Sequence, residues 1–307
     1  MTRLDQAFLK AYRHGGDKTP PRATGPLHWS PPESHTSGAS GPSAGAYGPA
    51  VPAPHARFGG GPAPARESAM SASAAYDAAS ANSTRTLIPT FEVPRFAWPV
   101  LVRNLISSSL SEFTALGTEL ASRAGEGRKT LLVSSSRRGE GRSTLILALA
   151  HVAAAKGLRV ALVDADFQHP QLAELLNVVP QVGWEDVLSG AQPLAEALVE
   201  SVEEQITLLP LAEPIEELST LAGGRAGVSL SELRENFDLV LVDAGPLDTD
   251  GAAIDLAGAL VGARIDDALV VRETGRTSDD QVQAAGRRLA AAGIGRWEVV
   301  ENFTLGR

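Results

Sequence analysis

Short apolar runs that alternate with stretches of helical period constrain this chain more than any other feature. Lys129–Ser134 (KTLLVS), Arg159–Val163 (RVALV), Ile206–Leu209 (ITLL), Asp238–Val242 (DLVLV), Ala268–Val271 (ALVV) and Trp297–Val300 read as strands. Their apolar residues occupy consecutive positions instead of every second one, so both faces of each strand must be covered. Between them Ser143–Lys156, Ser229–Asn236, Ala252–Gly262 and Asp279–Ala292 read as helices, and Ser143–Lys156 is almost wholly apolar. Upstream, Val100, Leu101, Leu105, Leu110, Phe113, Leu116 and Leu120 suit a helix over Trp98–Ala124, interrupted near the serines at 107–109. Apolar strands alternating with helices predict an α/β fold, a mostly parallel sheet with helices on both faces. No repeat of solenoid period is present.

The pattern begins only after a long prelude. Of 20 prolines in 307 residues, 14 lie in the first 100, and runs such as Gly59-Gly60-Gly61-Pro62-Ala63-Pro64-Ala65 bury too little apolar area to offset chain entropy. Residues 1–90 are therefore expected to be a disordered Pro/Gly/Ala/Ser-rich tail, 91–124 a linker and leading helix, and 125–307 the ordered domain. Arg3–Tyr12, with Leu4, Phe8 and Leu9 on one face, reads either as a short docking helix or as a frayed terminus.

Charge divides at the same place. Met1–Thr90 carries 8 Lys+Arg against 5 Asp+Glu, and the remainder 19 against 31, so the ordered part is acidic. An acidic surface argues against nucleic acid as a partner, because phosphate-backbone binding needs clustered positive charge. Zero cysteines exclude a disulfide framework, a thiolate zinc site and a thiol nucleophile. No stretch approaches the ~20 apolar residues of a membrane span. Met1–Asp17 is interrupted by Arg3, Asp5, Lys10, Arg13 and His14, unlike the apolar core of a secretory signal. The expected location is cytoplasmic.

The chemistry concentrates at strand ends. The first strand runs into Ser134-Ser135-Ser136-Arg137-Arg138-Gly139-Glu140-Gly141-Arg142-Ser143-Thr144 and then the apolar helix. A strand, a glycine-containing turn and a helix N-terminus form a phosphate cradle, since glycines let backbone N–H groups converge and the helix end favours anions. The pattern GxxxxGK[ST] would want Gly at 136 and Lys at 142, where this chain has Ser136 and Arg142. Two later strands end in acids, Asp164 and Asp166 after RVALV and Asp243 after DLVLV. In a parallel sheet those ends share an edge with the loop. Together with the Ser143 hydroxyl, the three carboxylates suit Mg²⁺, which takes one or two carboxylates, substrate phosphates and waters.

The loop RRGEGRST, the segment VALVDADFQHPQL, GWEDVLSG, the strand FDLVLVDAGP and the closing VVEN resemble the MinD/ParA-type P-loop ATPases, and within them the bacterial tyrosine kinases (BY-kinases) of exopolysaccharide synthesis. The resemblance runs collinearly over about Glu112–Phe303. It implies a P-loop NTPase-type domain binding ATP and Mg²⁺. Gly139, Glu140, Gly141, Arg142, Ser143 and Thr144 would form the Walker A loop, Arg137 would stand at the signature-lysine position, and Asn302 would read adenine. Ser143, Asp164, Asp166 and Asp243 would hold the metal, Asp164 doubling as base, with Asp164 and Arg142 as the catalytic pair. A membrane-bound polysaccharide export or chain-length-control protein would be the partner, recruiting the chain to the membrane. Self-association is also implied for the family, but its Glu-x-x-Arg-x-x-Arg motif is absent, since Glu112 is followed by Ala115 and Thr118.

Departures from the pattern leave three readings open. Arg142 stands in the place of the phosphate-gripping lysine, and a planar guanidinium is not equivalent to a slim ammonium. No tyrosine follows Tyr76, so autophosphorylation would use Tyr12, Tyr47 or Tyr76 in the tail. Arg137 and Arg138 read equally as phosphate contacts or as a solvated pair. His169, where the family carries a basic residue, reads as a surface side chain or a phosphate contact. The chain is a BY-kinase-like ATPase, a non-catalytic nucleotide-sensing scaffold, or a MinD/ParA-type positioning ATPase.

Overall fold

Alternate residues of each strand belong to different cores. Leu131 and Val133, Val160 and Leu162, and Leu239 and Leu241 pack with one apolar cluster, whereas Leu132, Ala161, Val163, Val240 and Val242 pack with another. A pleated strand divides its side chains in this way, and a sheet buried on both faces results. The computed structural model describes residues 87–215, 224–247 and 262–302. The expected opening helix, the tail to residue 86 and, apart from its last residue, the expected helix Ala252–Gly262 lie outside these residues.

In chain order the described elements are β1 (Phe91–Val93), α1 (Val100–Ser108), α2 (Leu110–Gly125), β2 (Thr130–Ser135), α3 (Arg142–Ala154), β3 (Val160–Ala165), α4 (Leu172–Leu175), α5 (Trp184–Ser189), α6 (Leu194–Ala197), β4 (Val199–Ser201), β5 (Ile206–Leu209), α7 (Arg225–Asn236), β6 (Leu239–Ala244), β7 (Asp267–Glu273), α8 (Asp279–Ala291) and β8 (Trp297–Asn302). The sheet has eight strands in the order β1-β4-β5-β3-β6-β2-β7-β8. Neighbours are parallel except β4 and β5, which pair antiparallel with Val199 opposite Leu208. All six strands read from the sequence are present. β1 and β4 were not anticipated, because three residues carry no period.

The apolar run after the loop becomes α3, with Leu145, Ile146, Leu147, Ala148 and Leu149 at most 1% exposed. A helix apolar all round is a buried helix, and α3 is enclosed between the sheet and the pair α1–α2. The single leading helix expected over Trp98–Ala124 is two helices that break at Ser109, the neighbourhood read as an interruption. On α2, Gly117 lets the backbones approach, since a Cβ there would stand 2.6 Å from the Val152 carbonyl oxygen of α3. Leu87, on the tail side of the expected boundary at 90, is buried, and its N–H donates to Asn236 Oδ1 at 2.8 Å.

Candidate functional site: the turn before α3 and the acidic strand ends

Parallel pairing puts the C-terminal ends of β2, β3, β6, β7 and β8 on one edge. Asp164 and Asp243 stand opposite each other in the β3–β6 register. Both have the strand parity that faces the α3 side, which is where the turn Ser136–Gly141 leads into the helix. Gly139 and Gly141 have φ of 86° and 89°, a left-handed conformation that glycine adopts without strain. At Gly141 a Cβ would also strike the Asn302 side chain. Arg137 is exposed; Arg138 and Gly139, also exposed, and the half-buried Ser143 and Thr144 line a cavity of ≈ 260 Å³ together with Arg142 and Gln171.

Arg142, the first residue of α3, does not extend away from the protein. Its Nε donates to Asp243 Oδ1 at 2.5 Å, its Nη2 to Asp166 Oδ2 at 2.7 Å, and its Nη1 lies 3.5 Å from Ser135 Oγ. Arg138 Nη1 reaches the same Asp166 oxygen at 3.3 Å. The Arg142, Asp166 and Asp243 side chains are 7%, 4% and 2% exposed, so this is a buried ion cluster. Burial alone would lower the Arg142 pKa, but Asp243 and Asp166 together raise it above its ordinary value and keep the guanidinium charged. Burial pushes the Asp243 carboxyl up, against the pull of Arg142 and a hydrogen bond with the Ser143 hydroxyl.

Asp164 has a different environment. Its Oδ1 accepts from the Asp166 N–H at 3.2 Å, and its Oδ2 from the Gln171 and Leu172 N–H groups at 3.0 and 2.9 Å. Burial, then the nearby Asp243 charge, raise its pKa to about 7 against the lowering effect of those three donors. The carboxyl therefore ties the chain entering α4 to the end of β3.

Glu140, read from the sequence as part of the phosphate loop, turns its side chain inward and is 2% exposed. Its Oε2 accepts from the Arg137 N–H at 2.8 Å, and its Oε1 accepts from the Glu273 N–H at 3.1 Å and from the Thr277 hydroxyl. Its backbone carbonyl accepts from Asn302 Nδ2 at 2.8 Å. The turn is thus fastened to the ends of β7 and β8, and the Asn302 amide, read as an adenine contact, braces the loop. Glu273 and Thr277 escaped the sequence reading because neither belongs to a motif. His169 is exposed, and its N–H donates to the Asp166 carbonyl at 3.0 Å. The Ser136 hydroxyl, at the position where the pattern wants glycine, is buried without a hydrogen-bond partner among the described residues.

The four groups read as metal ligands are brought together, but protein donors engage them. Asp166 and Asp243 pair with Arg142, Asp164 is occupied by backbone N–H groups, and Ser143 bonds Asp243. Among the described residues no group of three or more His, Cys, Asp or Glu side chains is placed to share a metal ion. In this arrangement the donor set does not fit a hexacoordinate Mg²⁺, which demands near-octahedral oxygen geometry at about 2.0–2.1 Å.

A parallel sheet, a glycine turn feeding a buried helix and aspartates on the adjoining strand ends define a P-loop NTPase-type fold. More particularly, it is the fold of bacterial tyrosine-kinase domains. The chain is similar to the kinase domain of the Escherichia coli tyrosine kinase Etk, with 20% identity over 67% of this chain and 77% of that one and a TM-score of 0.52. It is similar to the VpsO kinase domain at 19% identity over 68% and 100% of the two chains, with a TM-score of 0.55. The chimerical protein CapA2B2 matches at 17% identity over 72% and 96%, with a TM-score of 0.58. No family model matches the sequence, and no curated protein matches it. Likeness at these identities establishes the fold, and function must be argued from the site.

Proposed function

We propose that this chain is a nucleotide-binding regulator built on the tyrosine-kinase fold, one that binds ATP at the turn before α3 and transfers its phosphoryl group slowly or not at all. The observation that carries this reading is the commitment of Arg142 to Asp166 and Asp243. A lysine at that position would be a mobile point charge for the phosphates, whereas this guanidinium is held through Nε and Nη2 on two carboxylates. Phosphate binding then falls to the loop N–H groups, the N-terminal end of α3, Thr144, and the exposed Arg137 and Arg138. In this reading the protein works at the cytoplasmic face of the membrane by docking a polysaccharide export or chain-length-control protein, and nucleotide occupancy sets the docking. No helix among the described residues is long and apolar enough to cross a membrane.

One observation favours a second reading, an active tyrosine kinase. Asp164, held near pKa 7 beside Asp243, is a group able to exchange a proton at neutral pH. Its targets within this chain would be Tyr12, Tyr47 and Tyr76, all outside the described residues.

An ATP titration of the full chain separates the readings when phosphate release and phosphotyrosine are followed on the same sample. Saturable binding with release at the background rate supports the regulator, and tail phosphotyrosine supports the kinase. No binding at saturating ATP overturns both.

A further inference from the structure

A site that takes a metal–nucleotide complex leaves its acidic strand ends free to face the ion. Here they are not free. The Arg142 guanidinium spans β3 and β6, with Nε on Asp243 Oδ1 at 2.5 Å and Nη2 on Asp166 Oδ2 at 2.7 Å. A planar fork holds its donors at fixed, separate positions and so meets the two carboxylates from different edges, where an ammonium is a single point charge. The three side chains are buried, so the pairing is not a surface coincidence screened by water.

We infer that Arg142 is a built-in cation in the position where a divalent ion would meet Asp166 and Asp243, so that this chain binds a nucleoside triphosphate without a metal. The inference rests on the reading of Ser134–Thr144 as a nucleotide loop.

Charge and space both support it. A divalent ion entering between the carboxylates would stand beside a guanidinium deprived of its partners, and like charges in a buried site repel strongly. Asp164 is buried and already accepts from the N–H groups of Asp166, Gln171 and Leu172, which take three of its about four acceptor sites. Arg138, 42% exposed and 3.3 Å from Asp166, lines the cavity beside Arg142. It is the cation free to turn toward a phosphate while Arg142 stays in place. The triphosphate charge would be met by Arg137, Arg138 and the loop N–H groups, a set complete without an added ion.

The test uses the full chain and two readouts. In the first, ATP dissociation constants measured in excess Mg²⁺ and in EDTA should agree within about twofold. Tightening by about tenfold or more in Mg²⁺ would overturn the inference and leave the nucleotide reading intact. Absence of binding under both conditions would end the nucleotide reading, and the second readout then decides. Mn²⁺ alone, followed by paramagnetic resonance, should be ignored by the wild-type chain and taken up by Arg142→Ala and Arg142→Lys, in which Asp166 and Asp243 lose the guanidinium fork. Uptake by the wild type, or by none of the three proteins, overturns the inference. Circular dichroism confirms folding, and Arg142→Lys keeps a cation near the carboxylates should Arg142→Ala fail to fold.

Discussion

Asp164 and Asp243 are register partners on adjacent parallel strands, and only one of them is matched by a cation. Two like charges side by side in a buried site cannot both be ionised cheaply, and the neighbourhood resolves the conflict asymmetrically. Arg142 neutralises Asp243. Asp164 is left with backbone donors, and burial together with Asp243 raises its pKa to about 7. The asymmetry follows from the residue at position 142.

The first prediction concerns Asp164 and pH. Its pKa of about 7 in the folded chain lies above its ordinary value of 3.8, so the folded state holds the proton more tightly than the unfolded one. The resulting stability is fully present below the ordinary carboxylate pKa and is lost as pH rises through about 7. Asp164→Asn removes this dependence, and the unfolding free energy from urea denaturation should shift in its favour by roughly a few kcal/mol between about pH 4 and 8. A constant difference across that range would mean that Asp164 is ionised throughout.

The loop, the aspartates and the order of strands and helices could be read from the sequence because each is local: apolar runs, glycines and acids at fixed spacing. The direction of the Arg142 side chain could not, since it depends on Asp166 and Asp243, which reach the loop only through the pairing of β3 and β6. Glu140 is the same case, a loop residue whose partners Glu273 and Thr277 lie 133 and 137 positions away. β1 and β4 are three-residue strands at one side of the sheet, too short for a periodic signal. The segments α4 and α6 are single turns of four residues, set by tertiary packing and not by propensity.

Breaking the buried ion cluster on one side should be costly. Arg142→Ala leaves Asp243 buried without a cation and Asp166 with Arg138 alone, and should lose about 3–5 kcal/mol of stability at neutral pH. Adding Asp166→Asn and Asp243→Asn should restore much of it. A urea denaturation series on the wild type, Arg142→Ala and the triple variant checks this, and a loss below about 1 kcal/mol for Arg142→Ala would contradict a buried ion cluster.

Glu140 predicts a loop-specific defect. Glu140→Ala strands the Arg137 and Glu273 N–H groups and the Thr277 hydroxyl, at a cost on the order of 3 kcal/mol. Hydrogen exchange should rise at 137–141 and 273–277 while the strand centres stay protected. Exchange rising uniformly over the domain would show that Glu140 is a general stability residue.

Gly117 makes a prediction about packing remote from the site. Gly117→Ala puts a methyl 2.6 Å from the Val152 carbonyl oxygen, a backbone atom that cannot rotate away. Helix α2 must shift off α3, and about 1–3 kcal/mol should be lost despite the better helix propensity of alanine. A stabilised variant in thermal denaturation would contradict the close approach.

The central claim is that Arg142 stays with its carboxylates while a nucleotide is bound, and a crystal structure of the full chain grown with ATP and Mg²⁺ tests it most directly. The account predicts triphosphate density against the N–H groups of the turn before α3, with Arg142 still hydrogen-bonded to Asp166 and Asp243 and no ion between them. A guanidinium swung onto the phosphates, with a metal in its place beside Asp243, would contradict it.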